Sequence, residues 1–359
     1  MKKISRRSFL MAAGAVAATG VLAACGGSSS SAPAASGGGT VEEKPVTIKW
    51  ASSVSEAEIK GNNTPMSIAI NTWKETCEKE SGGSITIEIY PGSTLASGTE
   101  ATLSGLLTGS FEMSQLNTGS WGDYTDAFAA LNVPYLYTDF SLVHAVMDSE
   151  FGDGMKQQVL DEVNVIPLCY ADIGYRHVTN SKGEIKSPAD MKGLKIRTMT
   201  DAVQIASFED LGCSVTPMSI SELFSALQTK MVDAQENPLT TINSQKYYEV
   251  QQYCTLTRHS YTTTLFFMNV DFYNSLSDKQ KAAVEAANKA ATEQSRARLA
   301  EAEKEAQATL EAAGMKFYEL SDAEMAAFQD AVAPTWETIK KSMGDDKWNE
   351  LMATVDAAK

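Results

Sequence analysis

Val46-Thr-Ile-Lys-Trp50, then Thr64 to Lys79, then Ile85-Thr-Ile-Glu-Ile-Tyr90 are the stretches whose reading decides the fold. The first and third alternate along the chain with the two-residue period of a strand. The middle stretch carries Ile68, Trp73 and Cys77 among the apolar positions of an amphipathic helix. Ser81-Gly82-Gly83 breaks that helix, and Pro91-Gly92 closes the second strand. Strand, helix, strand is a βαβ unit, and it predicts a mostly parallel sheet. The rhythm continues outward: a helix over Gly98 to Thr108 ended by Gly109, then a strand over Phe111 to Leu116. It recurs around Val165–Tyr170, Leu194–Thr198 and Val215.

The C-terminal third reads differently. Ser277-Asp278-Lys279-Gln280 is a capping box, and no Gly or Pro follows until Gly314. A helix to Ala313 would run about 36 residues, or roughly 54 Å. That is longer than one small domain is wide, so it should bridge two. A coiled coil is excluded because the apolar positions are mostly Ala, without Leu or Ile seams. Ser321-Asp-Ala-Glu324 caps a further helix. The 359 residues, 43% of them hydrophobic, suffice for two compact domains.

The charge is −15, from 30 Lys and Arg against 45 Asp and Glu. Without Lys2, Lys3, Arg6 and Arg7 of a removable leader it would be −19, from 26 against 45. Such a surface repels phosphate backbones, which argues against nucleic acid as a partner.

Residues 1–24 read as a signal peptide: a basic MKKISRR, then a short apolar segment from Phe9 to Ala24. It ends Leu22-Ala23-Ala24-Cys25-Gly26, which matches a bacterial lipobox. Cys25 is thereby expected to carry lipid and tether the protein to the membrane. Ser5-Arg6-Arg7-Ser8-Phe9-Leu10 is also similar to a twin-arginine export motif, so Tat and Sec routes both stay open. Gly26 to Thr40, GGSSSSAPAASGGGT, reads as a Gly/Ser linker spanning roughly 20–23 Å. Cys77, Cys169, Cys213 and Cys254 could form two bridges in three pairings, or stay free. Their apolar neighbours favour buried thiols.

The sequence contains no catalytic constellation. GxSxG and the P-loop are absent, Gly152-Asp-Gly154 lacks its third glycine, and no CxxC or HxxxH suggests a metal. His144, His177 and His259 are read as structural or surface residues. No cofactor is expected.

The positive signal lies between Asp172 and Asn269. It comprises Gly174-Tyr-Arg176-His-Val-Thr-Asn180, Ser187-Pro-Ala-Asp-Met-Lys-Gly-Leu-Lys-Ile-Arg197, Ser221-Glu-Leu-Phe-Ser-Ala-Leu-Gln228 and Val232-Asp-Ala-Gln-Glu-Asn237-Pro238. Upstream stand SGGSITIEIYPGSTL, LTGSFEMSQLN and FAALNVPYLYTDF. In this order and spacing they resemble the DctP-type solute-binding proteins of TRAP (tripartite ATP-independent periplasmic) transporters, from about Val46 to Glu319.

The residues themselves support an anion site. Leu194 and Ile196 alternate with Lys195 and Arg197, so Arg197 faces away from the apolar pair at a strand end. Its guanidinium fork matches a carboxylate. The resemblance implies that Arg197 clamps the ligand carboxylate, that Arg176 is a second, supporting cation, and that Asn237 is an amide contact from the second domain. Ser52, Glu100 and Ile220 are further candidate ligand contacts. The sequence departs from the family at Ala234 and at Lys230-Met231, where glycines are common. The stretch Ser52–Gly61 is also longer and more polar than the family leads one to expect.

The resemblance implies an α/β, two-lobed periplasmic-binding-protein-like fold with an interdomain cleft and a long C-terminal helix spanning both lobes. Lobe I would take 45–173 and 263–302, and lobe II 174–262 and 303–359. The implied function is that of an exported, monomeric, non-enzymatic binding subunit. It would capture an organic acid and hand it to the TRAP membrane permease. The rival readings are an ABC-type solute-binding lipoprotein and, more distantly, an exported lipoprotein enzyme.

Overall fold

The computed structural model describes residues 43–359. The expected signal peptide, Cys25 and the Gly/Ser linker lie outside the described residues.

The strands are β1 (Val46–Ala51), β2 (Ile85–Tyr90), β3 (Met113–Asn117), β4 (Val165–Asn180), β5 (Lys195–Thr198), β6 (Ser214–Pro217), β7 (Ala234–Pro238), β8 (Tyr253–Leu256), β9 (Tyr261–Asn269) and β10 (Lys316–Glu319). One lobe holds the order β2-β1-β3-β9-β4. The other holds β4-β7-β5-β6, with β8 on the far side of β4 and β10 beyond it.

The expected parallel pairs are present: β1 with β2 and β3, and β5 with β6 and β7. The sheet is nonetheless mixed. β4 runs antiparallel to β9, β7 and β8, and β3 runs antiparallel to β9. The reason is topological. The chain leaves lobe I along β4 and returns along β9, so the crossing strands must oppose one another. β4 also runs ten residues past the expected Tyr170. Its second half carries Asp172, Arg176, His177, Thr179 and Asn180, all buried. Polar residues in a buried strand hide the hydrophobic period by which strands are recognised.

Phe266 and Phe267 on β9 show how lobe I is filled. Adjacent strand residues point to opposite faces. Phe266 meets Trp50 edge-on at 4.9 Å, and Trp50 meets Trp73 at 5.5 Å. Phe267 meets Trp121 at 5.0 Å on the other face. The Trp73 indole N–H donates to Asn288 at 2.8 Å, which ties the Pro65–Glu80 helix to the long helix.

The long helix runs Asp278–Ala312, capped by Ser277 and Gln280 as expected. At about 52 Å it crosses both lobes. Its buried face is mostly small (Ala283, Ala287, Ala291, Ser295, Ala302, Ala306), which lets it lie close on its neighbours. Thr292 donates to the Tyr170 carbonyl at 2.9 Å, and Glu303 accepts the Tyr175 N–H at 3.0 Å. Both contacts fall on the crossing strand. Gly174 stands between them at φ +123°, where a Cβ would come within 2.3 Å of the Glu303 carboxylate. Only glycine fits that approach.

The C-terminal segment departs from the expected lobe boundaries. Ile339, Trp348, Leu351 and Val355 join the core of Leu142, Val146, Phe151 and Val159 in lobe I. The last helix, Asp345–Ala357, therefore packs on lobe I, and the return to lobe II ends near Val332. Its apolar face has the same helical period on either lobe, so the sequence did not distinguish them. All four cysteines of the described residues are free; Cys77, Cys169 and Cys254 are buried, and Cys213 is half-buried.

Candidate functional site

A cavity of about 450 Å³ opens between the lobes. Ala51, Asn117, Arg197 and Asn237 reach it from β1, β3, β5 and β7. These lie at or near the carboxyl ends of their strands, where open α/β sheets place ligands.

Arg197 closes the alternation predicted for its strand. Ile196 is in the apolar core, and Arg197 on the opposite face is 2% exposed. Its Nε and Nη2 both donate to the Met218 carbonyl, at 3.0 and 2.6 Å. Nη1 is buried without a partner. Among the described residues Arg197 makes no ion pair, so a buried cation lines the cavity with one N–H corner unspent. Burial lowers its pKa to about 10, with Glu236 countering and Arg176 adding to the effect. The group stays charged at neutral pH.

Asn237 also lines the cavity, and its amide is fixed from behind. Arg176 Nη2 donates to its Oδ1 at 2.9 Å, and its Nδ2 donates to Gln235 Oε1 at 2.5 Å. Arginine can only donate, so the amide oxygen must face Arg176. The second N–H of Asn237 is thus left for the cavity. The chain of bonds continues from Gln235 to Thr179 at 2.7 Å and from Thr179 to Gln251 at 3.0 Å.

Arg176 stands elsewhere than expected. It is fully buried and does not line the cavity. Its Nε is paired with Glu236, Nη1 donates to Thr262 at 3.0 Å, and Nη2 reaches Glu236 and Asn237. Its bond to Asn237 fixes an amide that does line the cavity. His259 completes the cluster, 3.1 Å from Glu236 and 2.8 Å from Thr257. Burial holds His259 below the usual imidazole range despite the Glu236 hydrogen bond. Burial alone would raise Glu236, but the Arg176 charge and the His259 and Arg176 hydrogen bonds hold it well below the usual carboxylate range.

Glu100 and Ile220 line the cavity, both exposed at its mouth. Ser52 is buried one layer back and accepts from Gln115 Nε2 at 2.7 Å. Gln115 in turn accepts the Trp50 indole N–H and faces the cavity. The sequence analysis did not single out Gln115, Asn117, Glu58 or Thr240. A signal existed for two of them, since SQLN puts polar residues at the carboxyl end of an apolar strand. Glu58 sits in the unexpected stretch Ser52–Gly61, which folds as the short helix Glu56–Gly61.

Two α/β lobes closing on an unpaired guanidinium define a protein that captures an anionic solute between domains. The chain belongs to the DctP family, bacterial extracellular solute-binding protein family 7, whose profile matches residues 57–342. It is a TRAP-type solute-binding protein, and the ABC-type reading is set aside. The 2,3-diketo-L-gulonate-binding periplasmic protein YiaO of Escherichia coli K12 is 32% identical over 266 residues, 74% of this chain and 80% of that one. The sugar acid binding protein DctPAm of Advenella mimigardefordensis, solved with galactonate, superposes with a TM-score of 0.82 at 28% identity, over 89% of this chain and 100% of that one. A TRAP periplasmic binding protein of Sulfurospirillum deleyianum, solved with succinate, gives 0.79 at 26% identity, over 86% and 98%. The family is one of substrate-binding transport proteins, and its periplasmic members are exported.

Proposed function

We propose that this chain binds a small organic acid in the interlobe cavity through Arg197 and delivers it to TRAP permease subunits for gradient-driven uptake. The observation that carries this reading is the Arg197 guanidinium, buried at the cavity wall and lacking an acidic partner among the described residues. A buried charge without a counter-charge is costly, and a ligand carboxylate relieves that cost. Asn237 adds a donor from the same lobe, oriented by Arg176. Ser52 supports the opposite wall through Gln115, while Glu100 and Ile220 border the entrance. The polypeptide crosses between lobes along β4 and β9, which suits hinge closure over ligand. The chain performs no chemistry in this reading, and it acts as a monomer. Its galactonate-, diketogulonate- and succinate-binding relatives support an organic acid as cargo.

Thermal melting of the purified protein against a library of small organic acids tests it. Ligand at about 100 times Kd stabilises the folded state by about 2.7 kcal/mol. At least one acid is expected to raise the melting temperature by several degrees without being turned over. A library in which no acid does so would sink the reading.

Cys25 is proposed as the lipidated anchor that holds the exported protein at the membrane. Palmitate labelling in a bacterial host should mark the wild type and not Cys25→Ser, and the variant should leave the membrane fraction. Equal labelling of both would refute the anchor.

A further inference from the structure

We propose that the cavity selects a monocarboxylate bearing several hydroxyl groups over a dicarboxylate, and that Glu58 is a residue that enforces this choice. The inference rests on Arg197 as the carboxylate clamp and deepens that reading.

Among the described residues Arg197 is the one basic residue on the cavity wall. Three acids share the wall: Glu58, Glu100 and Asp123. None of the three forms an ion pair among the described residues. One ligand carboxylate satisfies Arg197. A second would find no cation and would face carboxylates instead, and like charges across a closed site are strongly repelled. A hydroxyl has the opposite fit, because it donates to a carboxylate that another carboxylate can only repel.

Glu58 is placed for that task. It is half-buried, while Glu100 and Asp123 are exposed at the entrance. Thr64 Oγ1 donates to its Oε1 at 2.9 Å, which fixes the side chain, and a carboxylate has lone pairs left to accept a ligand hydroxyl as well. Burial raises its carboxyl, with the Thr64 and Ser244 hydroxyls opposing. Protonated or ionised, Glu58 offers a hydroxyl partner and no cation. Among the described residues the rest of the wall is uncharged, with Gln115, Asn117 and Thr240 set among apolar Leu116, Ile173 and Met199. Thr264 donates to Asn117 Oδ1 at 2.7 Å, which leaves the Asn117 amide N–H pair free to meet ligand oxygens. A cavity of about 450 Å³ also has room for a chain of hydroxylated carbons. The fold is indifferent to the choice, since galactonate and succinate binders superpose on it about equally well. The wall therefore decides.

The test is calorimetry on the mature chain with gluconate and glucuronate against succinate and glutarate. At least one of the first pair is expected to bind about 100-fold tighter than either dicarboxylate, the size of effect an unmatched charge produces. Glu58→Gln, nearly isosteric, should narrow that gap about fivefold or more. Glu100→Gln/Asp123→Asn changes only exposed positions, and it should narrow the gap less. Dicarboxylates binding as tightly as the sugar acids would overturn the proposal. An unchanged ratio in a folded Glu58→Gln protein would overturn the role of Glu58. Failure of every acid in all classes to bind the folded wild type would instead overturn the carboxylate site beneath it.

Discussion

Arg197→Ala is expected to weaken organic-acid binding by about 30- to 5,000-fold, which is the roughly 2–5 kcal/mol of a buried charge-assisted contact. The variant should remain folded. Among the described residues the Arg197 side chain donates only to the Met218 carbonyl, and its charge is unpaired in the cavity wall. Removing a buried cation that lacks a counter-ion relieves desolvation, so the unliganded protein should melt no lower than wild type. Arg197→Lys should also bind poorly, because an ammonium has no planar fork and a shorter reach. Calorimetry gives the affinity and melting curves give the stability. Undiminished affinity in a folded Arg197→Ala protein would remove the site assignment.

Arg176→Ala should do the reverse: it should cost the protein much of its stability before any binding question arises. Its side chain is buried and paired with Glu236, which is itself fully buried. Deleting the guanidinium leaves that carboxylate uncompensated, and such losses cost about 3–5 kcal/mol. That is a large part of the stability of an ordinary domain. Arg176→Met combined with Glu236→Leu should recover much of the loss, because replacing both partners leaves no stranded charge. Urea melts of the three proteins read this directly. Arg176→Ala as stable as wild type would show that the pair carries no such burden.

The same pair sets an acid limit. Glu236 is depressed in the folded state, so on acidification the unfolded chain takes up the proton first. Its contribution is present above the ordinary glutamate value of about 4.3 and is lost as pH falls from there toward the folded value. Wild-type stability should fall across that range, and part of that slope should vanish in the Arg176→Met/Glu236→Leu protein.

The contrast between the two arginines shows where sequence reading reaches its limit. Both stand on strands within motifs of one family, and both are cations near the cleft. The alternation Leu194-Lys195-Ile196-Arg197 put Arg197 opposite the core, and that local geometry held. Nothing local to Tyr175-Arg176-His177 reveals that Glu236, sixty residues on and paired with Val178 in the β4–β7 ladder, would reach Arg176 diagonally. The expected second ligand cation stands behind the cavity wall, bonded to Glu236 and Asn237. Ser52 likewise proved to stand one layer behind Gln115. Glu58 went unremarked because a six-residue helix inside a polar stretch leaves no amphipathic signature.

By itself the sequence determined the βαβ unit of Val46–Tyr90, the capped helix of Asp278–Ala312 and the family. These rest on short-range periods, capping boxes and ordered motifs, all written within a few residues of one another. Tertiary structure alone decided the mixed sheet, the packing of the last helix on lobe I, which arginine meets the cavity, and which acids share its wall. Each of those depends on residues brought together across scores of positions, and the partner of a buried charge is defined only once the chain has folded around it.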